Sequence, residues 1–278
     1  MPEYPEVAAH AERLSTLFGG HSFERFSAIN FAVLKTAVPS PDDVAGATLV
    51  AFTTRGKLLI ADFGRYSFVI HLMQGGRLKP DEKQSAKPRG GLGRWHFDDG
   101  SALLLTEAGS QRKAGTWVIE GDPQHQPPLD HLGPDADDLD VDQLRVLLAT
   151  DNKRLHGVLR DQRRIAGLGR RLSNEICHRA KLSPFAAVGK FDDAQVCRLH
   201  AAIESCIAES LEFERGRDEM SSAAERPGAV HHHAGEPCPD CDDVVRAVEY
   251  NAYTVNYCAK CQTGGRVLAD NTTSKFLK

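Results

Sequence analysis

No stretch of this chain approaches the roughly 18 consecutive apolar residues that a membrane-spanning helix needs, so insertion into a bilayer is not expected. The first ten residues, MPEYPEVAAH, lack the basic head and the apolar core of a secretory signal. A cytoplasmic location is the expectation. Internal repeats are missing, which removes solenoids and propellers. Net positive charge is missing too: the formal balance is −4, which at first argues against a polyanionic partner. What is present is an ordinary globular composition, with 278 residues able to bury one large core or two modest ones.

Net charge is an average, and this chain distributes it unevenly. Between Asp151 and Lys190 stand Lys153, Arg154, Arg160, Arg163, Arg164, Arg170, Arg171, Arg179, Lys181 and Lys190, opposed only by Asp151, Asp161 and Glu175. Acid gathers elsewhere, as in Asp135 to Asp142. Charge fields decay within a Debye length of about 10 Å, so a local basic stripe can bind phosphate on an acidic protein. The stripe reads equally as a solvated helix face.

The texture changes along the chain. Residues 5–18 have the apolar spacing of a helix, ended by Gly19 and Gly20. From about residue 22 to 120, short apolar runs alternate with turn residues, and Asp98-Asp99-Gly100 reads as a hairpin turn. Short strands at this spacing predict a β-sandwich. The polar stretch Lys79–Gly93 is expected to be a mobile loop, and the Pro- and His-rich residues 121–134 a linker. Helical patterns return at 141–149, 152–161 and 192–214, and Gly167-Leu168-Gly169 makes a tight turn before a helix carrying Glu175. Residues 216–236 are polar and irregular. The expected division is 1–130, 131–236 and 237–278.

Cysteine is concentrated. Three of the seven, Cys177, Cys197 and Cys206, stand singly in helical sequence and read as small buried hydrophobes. The others form Cys238-Pro-Asp-Cys241 and Cys258-Ala-Lys-Cys261. Two such knuckles offer four thiolates to a tetrahedral zinc, and the segment between them returns as a hairpin. A tetrathiolate site is closed, so one structural zinc is expected, its binding supplying much of the hairpin's folding energy. His231-His232-His233 reads as a solvated loop triplet without a metal role.

The N-terminus offers a reagent. Removal of Met1 would leave Pro2 as a free secondary amine, and α-amino groups titrate near about 8. Such an amine attacks a sugar carbon or aldehyde to form an iminium, and Glu3 beside it could move protons. Alone, Met-Pro-Glu reads as an ordinary N-terminus.

Ordered together, the pieces resemble the formamidopyrimidine-DNA glycosylase and endonuclease VIII family over nearly the whole chain. The matching elements are Pro2-Glu3 with Pro5-Glu6-Val7, Arg55-Gly56-Lys57-Leu58-Leu59, His71-Leu72 with Gly76-Arg77-Leu78, and Leu132-Gly133-Pro134-Asp135. Then come Asp161-Gln162 with Ala166-Gly167-Leu168-Gly169, Asn174-Glu175-Ile176, Ser183-Pro184 and the terminal Cys261-Gln262. The resemblance implies an α+β fold: an N-terminal β-sandwich with a flanking helix, then a helix-two-turn-helix domain with a C-terminal zinc-finger hairpin, enclosing a DNA cleft. It implies a monomer acting on double-stranded DNA with a damaged base or abasic site, without organic cofactor. The lesion base is flipped out because its glycosidic carbon is unreachable inside the stack. By resemblance Pro2 is the nucleophile and Glu3 the acid/base. Lys57 faces a phosphate or assists elimination, Gly169 presents backbone N–H groups to a phosphate, and Glu175 supports the site.

The departures from the family bear on function. The usual Asn after Gly169 is Arg170, which keeps phosphate affinity but alters geometry. A family Lys becomes His156, a weaker and pH-dependent phosphate contact. In the wedge segment Met73 stands one position early and Gln74 takes the usual place, with His71 before them. Met73 reads equally as a core residue. In the second void-filling loop, Ser110-Gln111-Arg112-Lys113-Ala114, Arg112 aligns and the usual Phe does not. The hairpin's phosphate-gripping Arg is replaced by Tyr253, with Arg246 or Arg266 as substitutes or the tyrosine itself touching DNA. Two rivals to the bifunctional enzyme follow: a non-catalytic binder of abasic or distorted DNA, and an unrelated zinc-ribbon protein.

Overall fold

The computed structural model describes residues 1–109, 112–221, 225–251 and 253–268. The chain divides into two compact units, Met1–His131 and Leu132–Lys278. No helix among the described residues is long and apolar enough to cross a membrane.

The first unit opens with helix α1 (Tyr4–Phe18) and continues with strands β1 (Phe23–Ala28), β2 (Ala51–Arg55), β3 (Leu58–Phe63), β4 (Tyr66–His71), β5 (Gly76–Pro80), β6 (Gly91–Phe97), β7 (Ala102–Glu107) and β8 (Gly115–Glu120). They form two antiparallel four-stranded sheets, ordered β1-β6-β7-β5 and β2-β3-β4-β8. Aromatic rings from both sheets meet in the core: Phe68 of one touches Phe23 (5.2 Å between centroids) and Trp95 (5.8 Å) of the other. Such contacts add to the area they remove from water. Helix α1 lies along an open side, bonded at Ser15 to the edge strand β2 (Phe52 N–H to Oγ, 2.7 Å) and at His10 to the edge strand β5 (Nε2 to Leu78 O, 2.6 Å).

Phe23–Ala28, at the head of the strand-rich region, is a strand although FERFSA shows little apolar alternation. One expectation changes here. The stretch 79–93 is not one loop: Lys79 and Pro80 end β5, residues 91–93 begin β6, and the buried Arg94 pairs with the half-buried Asp81 at 2.7 Å. That pair fixes the segment's base.

The second unit contains α2 (Val141–Ala149), α3 (Leu155–Arg160), α4 (Arg170–Arg179), α5 (Asp193–Arg215), the hairpin β9 (Val245–Tyr250) and β10 (Tyr253–Cys258), and the short α6 (Ala259–Thr263). Helix α4 packs against α3, α5, β10 and α6. Its sequence RRLSNEICHR is polar, yet Arg171, Leu172, Ser173, Asn174, Ile176, Cys177 and His178 are all buried. A buried polar side chain must find partners, so this helix becomes the unit's hydrogen-bonding hub. Cys177 and Cys206 are buried as expected, whereas Cys197 is exposed on α5.

Candidate nucleic-acid and metal sites

In the first unit the N-terminal residues are fixed by a reciprocal capping box. Glu3 caps α1 and accepts from the backbone of Glu6, while the Glu3 N–H donates to Glu6 Oε2 at 3.0 Å. Both carboxylates are buried, Glu3 at 4% and Glu6 at 3% exposure. Two acids at the positive end of a helix are electrostatically tolerated there. Pro2 is buried beside them.

Lys57 occupies the two-residue turn between β2 and β3, after Gly56 in the left-handed region (φ 58°). It is only 5% exposed, unusual for a lysine at a hairpin tip. Helix α1 runs antiparallel to β2, since Gly20 bonds to Leu49 and Ser15 to Phe52. Twelve helical residues back from Ser15 span about 18 Å, and five strand residues forward from Phe52 span about 16 Å. Glu3 and Lys57 therefore lie toward the same end of this unit. His71 pairs across from Leu58. Burial first, then the Lys57 charge, lowers its pKa to about 4, so it is a neutral ring there.

The β4–β5 connection is a tight turn in which Met73 adopts φ 53° and the Gly76 N–H reaches Leu72 O at 2.8 Å. A Cβ at Gly76 would lie 2.1 Å from Leu72 O, so only glycine fits. Met73 is half-buried and Gln74 exposed, which sets Met73 at a rim and not in the core. Both line a cavity of about 410 Å³ shared with Gly75, Glu107, Ala108, Gly109 and Lys113. The buried Glu107 carboxylate accepts from Ala114 N at 2.7 Å and closes the 107–114 loop. Arg112 is exposed on that loop, and Ser110 and Gln111 lie outside the described residues.

In the second unit one glutamine organises the turn before α4. Gln162 Nε2 donates to Arg160 O (3.0 Å) and Leu168 O (2.7 Å), and its Oε1 accepts from Gly167 N (3.0 Å). Gly133 donates its N–H to Gln162 O at 2.9 Å and approaches so closely that a Cβ would meet Arg164 O at 2.4 Å. Gly169 caps α4 without a side chain.

Glu175 points the other way along the helix. Its carboxylate accepts backbone N–H groups of Ala229 (2.7 Å), Val230 (3.1 Å) and His231 (2.8 Å). Asn174 Nδ2 bonds to His231 Nδ1 at 2.8 Å, and Asn174 Oδ1 accepts from Asn256 N on β10 at 3.3 Å. The histidine triplet is thus not simply solvated: His231 is buried, its ring 4.1 Å from that of His232, and burial lowers its pKa to about 3.

The four paired cysteines converge, all sulfurs within 4.8 Å of one another. Cys238 and Cys261 stand 3.9 Å apart and Cys241 and Cys258 3.4 Å apart. A tetrahedral zinc with bonds of about 2.3 Å needs sulfurs about 3.8 Å apart, so the set fits that ion. His178 on α4 lies 3.3 Å from Cys238 Sγ, and Gln262 accepts from Cys258 N (2.8 Å) while donating to Leu182 O (3.0 Å). The knuckles are thereby tied to α4 and the residues just after it.

The basic stripe proves divided. Lys153 pairs with Asp161 at 3.0 Å, Arg164 with the buried Asp151 at 3.2 Å, Arg179 with Glu209 and Lys181 with Asp240, and Arg171 is buried against the carbonyls of Arg226 and Pro227. These cations serve the fold. His156 is also different from its expectation. It is 3% exposed, and burial, then the Arg160 charge, lowers its pKa to about 3, so a pH-dependent phosphate contact is not available to it. Its ring stacks on Tyr253 (5.8 Å, 14°), which stacks on Tyr250 (4.7 Å, 12°). Arg246 lies 3.5 Å from Asp243 and so is engaged within its own hairpin.

Comparison with known proteins accords with this arrangement. The model of the formamidopyrimidine-DNA glycosylase N-terminal domain matches residues 1–117. An uncharacterized formamidopyrimidine-DNA glycosylase-like protein of Mycobacterium tuberculosis is 44% identical over 149 residues, 53% of this chain and 94% of that protein. The formamidopyrimidine-DNA glycosylase of Bacillus subtilis is 26% identical over 280 residues, covering 95% of this chain and 99% of its own. Lactococcus lactis Fpg, solved in complex with DNA containing an abasic site, shares the fold with a TM-score of 0.84 at 19% identity, over 94% of this chain and 99% of that one. The α+β fold, a cysteine set that fits a zinc finger and these relatives together define a DNA-repair glycosylase. The chain belongs to the formamidopyrimidine-DNA glycosylase family.

Proposed function

We propose that the protein is a bifunctional DNA glycosylase and abasic-site lyase of base excision repair. The observation that carries this reading is the buried Pro2-Glu3 pair, held by the Glu6 capping box toward the same end of its unit as the buried Lys57. With Met1 removed, the Pro2 nitrogen lone pair forms a bond to C1′ as the glycosidic bond breaks and the base departs with a proton. Glu3 moves the protons in this reading. O4′ then takes a proton and the C1′–O4′ bond breaks, opening the sugar to an iminium; this loses a C2′ proton and expels the 3′ phosphate, nicking the strand, and hydrolysis returns the amine. Lys57 assists elimination or faces a phosphate.

His71, Met73, Gln74 and Arg112 in the first unit and Gly169, Arg170 and Tyr253 in the second are the proposed DNA contacts. His156 and Glu175 act behind them, His156 under the Tyr253 ring and Glu175 on the 229–231 turn. Cys238, Cys241, Cys258 and Cys261 hold one structural zinc, which cross-links the hairpin and supplies no reactive group. The protein acts on double-stranded DNA in the cytoplasm as a monomer.

Borohydride trapping on a duplex with one abasic site tests the chemistry. The Met1-processed protein is expected to form a covalent adduct that Pro2→Gly abolishes and Lys57→Ala reduces. The burial of His156 and the tyrosine at position 253 favour a second reading, a non-catalytic binder. Tight binding of the same duplex without any adduct would select it.

A further inference from the structure

Arg160, the last residue of α3, stands face-on to Tyr253, its guanidinium carbon 3.6 Å from the ring centroid. That is direct stacking contact, and it is made with the hairpin end, 93 residues away in sequence. The ring is itself braced by Tyr250 on β9 and by His156 one helical turn before Arg160. Among the described residues the Arg160 side chain makes no hydrogen bond and no ion pair, and its Nε is buried without a partner. The nearby charge is of the same sign: Arg170, at the start of α4, works against the Arg160 cation, as burial does still more strongly, and only Tyr253 works for it.

Among the described residues no carboxylate offsets the half-buried Arg160 cation, which is electrostatically unfinished beside a second cation. An anion between the two guanidinium groups would complete it. Stacking leaves the N–H donors of the guanidinium edge unused, since they lie in its plane, parallel to the ring. The side chain is therefore held in place before any ligand arrives, and little rotamer freedom is left to lose. A planar fork presented in this way matches two oxygens of a phosphate. His156, kept neutral, adds a surface to the ring without competing for the anion.

We propose that Arg160, held flat on Tyr253, binds a backbone phosphodiester of the nucleic-acid strand, with Arg170 as its partner cation. The proposal rests on the reading of this protein as DNA-binding. Tyr253 is then a platform and not itself the phosphate ligand.

Zinc-loaded protein binding a fluorescent duplex with a reduced abasic analogue, followed by anisotropy over a salt series, is the test. Arg160→Gln is expected to weaken binding about tenfold and to reduce the slope of log K against log salt by about 0.9, the value of one released phosphate contact. Arg160→Lys should keep the slope. Tyr253→Leu, which removes the platform under the guanidinium, should weaken binding as Arg160→Gln does. Arg160→Gln with the parent affinity and slope overturns the proposal while leaving the glycosylase reading intact. So does a reduced slope for Arg160→Lys, which also decides the matter if Arg160→Gln fails to fold. A parent protein that does not bind the duplex overturns both.

Discussion

The two units hold their candidate functional residues by opposite means. In the first, Glu3, Lys57 and Met73 sit at element ends whose positions follow from backbone geometry: a helix start, a two-residue hairpin turn and a glycine-dependent turn, all mounted on an apolar sandwich. In the second, the mounting is polar. Helix α4 lends Arg171, Asn174, Glu175 and His178 to backbone groups, a histidine and a cysteine sulfur of other segments. An apolar mounting loses little when one reactive side chain is changed. A polar mounting transmits each change, because a removed partner leaves a buried group unsatisfied. The first unit should therefore separate chemistry from stability, and the second should not.

Metal removal should show the contrast most strongly. Structural zinc contributes apparent free energies of about 10–16 kcal/mol in small modules. Cys258→Ser, or a strong chelator, is expected to expose the amides of β9 and β10 to rapid hydrogen exchange and to abolish tight DNA binding, with the amides of β3 and β4 unchanged. Protection of β9 and β10 that survives metal loss would mean that α4 alone holds the hairpin.

Acid should come next. His156 and His231 in the second unit are lowered to about 3, and His10 and His71 in the first to about 4, each chiefly by burial. An unfolded histidine titrates near about 6.5, so below that pH the unfolded chain binds more protons. Stability is full above pH 6.5 and falls as pH drops toward 3–4. At pH 5 the cost is about 2 kcal/mol for each fully buried histidine. His156→Phe, which keeps a ring against Tyr253, should flatten that dependence by one proton; chemical unfolding at pH 7 and pH 5 measures it. A variant as acid-sensitive as the parent would place the titration elsewhere.

The smallest effect sharpens the comparison within the polar unit. Glu175→Gln keeps the shape but removes the charge that three backbone N–H groups address. A loss of about 1.5–3 kcal/mol is expected, with faster exchange at residues 229–231 and little change in trapping chemistry. Loss of trapping without loss of stability would instead put Glu175 in contact with DNA.

What could be read beforehand follows from how locally each feature is encoded. The cysteine knuckles are legible because ligand spacing is a property of a few adjacent residues. The hairpin at Asp98-Asp99-Gly100 is legible for the same reason, and the structure has Gly100 at φ 83° there. Phe23–Ala28 was only faintly marked because its outward residues are charged, and Asp81–Arg94 was hidden because an ion pair across a polar loop leaves no pattern. Glu175 could be suspected as a support, but its partners are backbone amides, which carry no side-chain signature. The meeting of His156, Arg160 and Tyr253 is invisible in sequence since it depends on how β10 packs beside α3 and α4. The same holds for His231, whose triplet looked solvated until Asn174 and Glu175 enclosed it.

The aromatic core of the first unit also has an optical consequence. The chain has two tryptophans, Trp95 packed between Phe26 and Phe68 and Trp117 on β8, and both belong to Met1–His131. The second unit carries tyrosines and, when loaded, metal–thiolate chromophores. Emission excited at the red edge of the spectrum thus reports one unit alone, while ultraviolet charge-transfer absorption reports the other. The two halves of the molecule come with separate colours, and a single cuvette can tell which of them opens first.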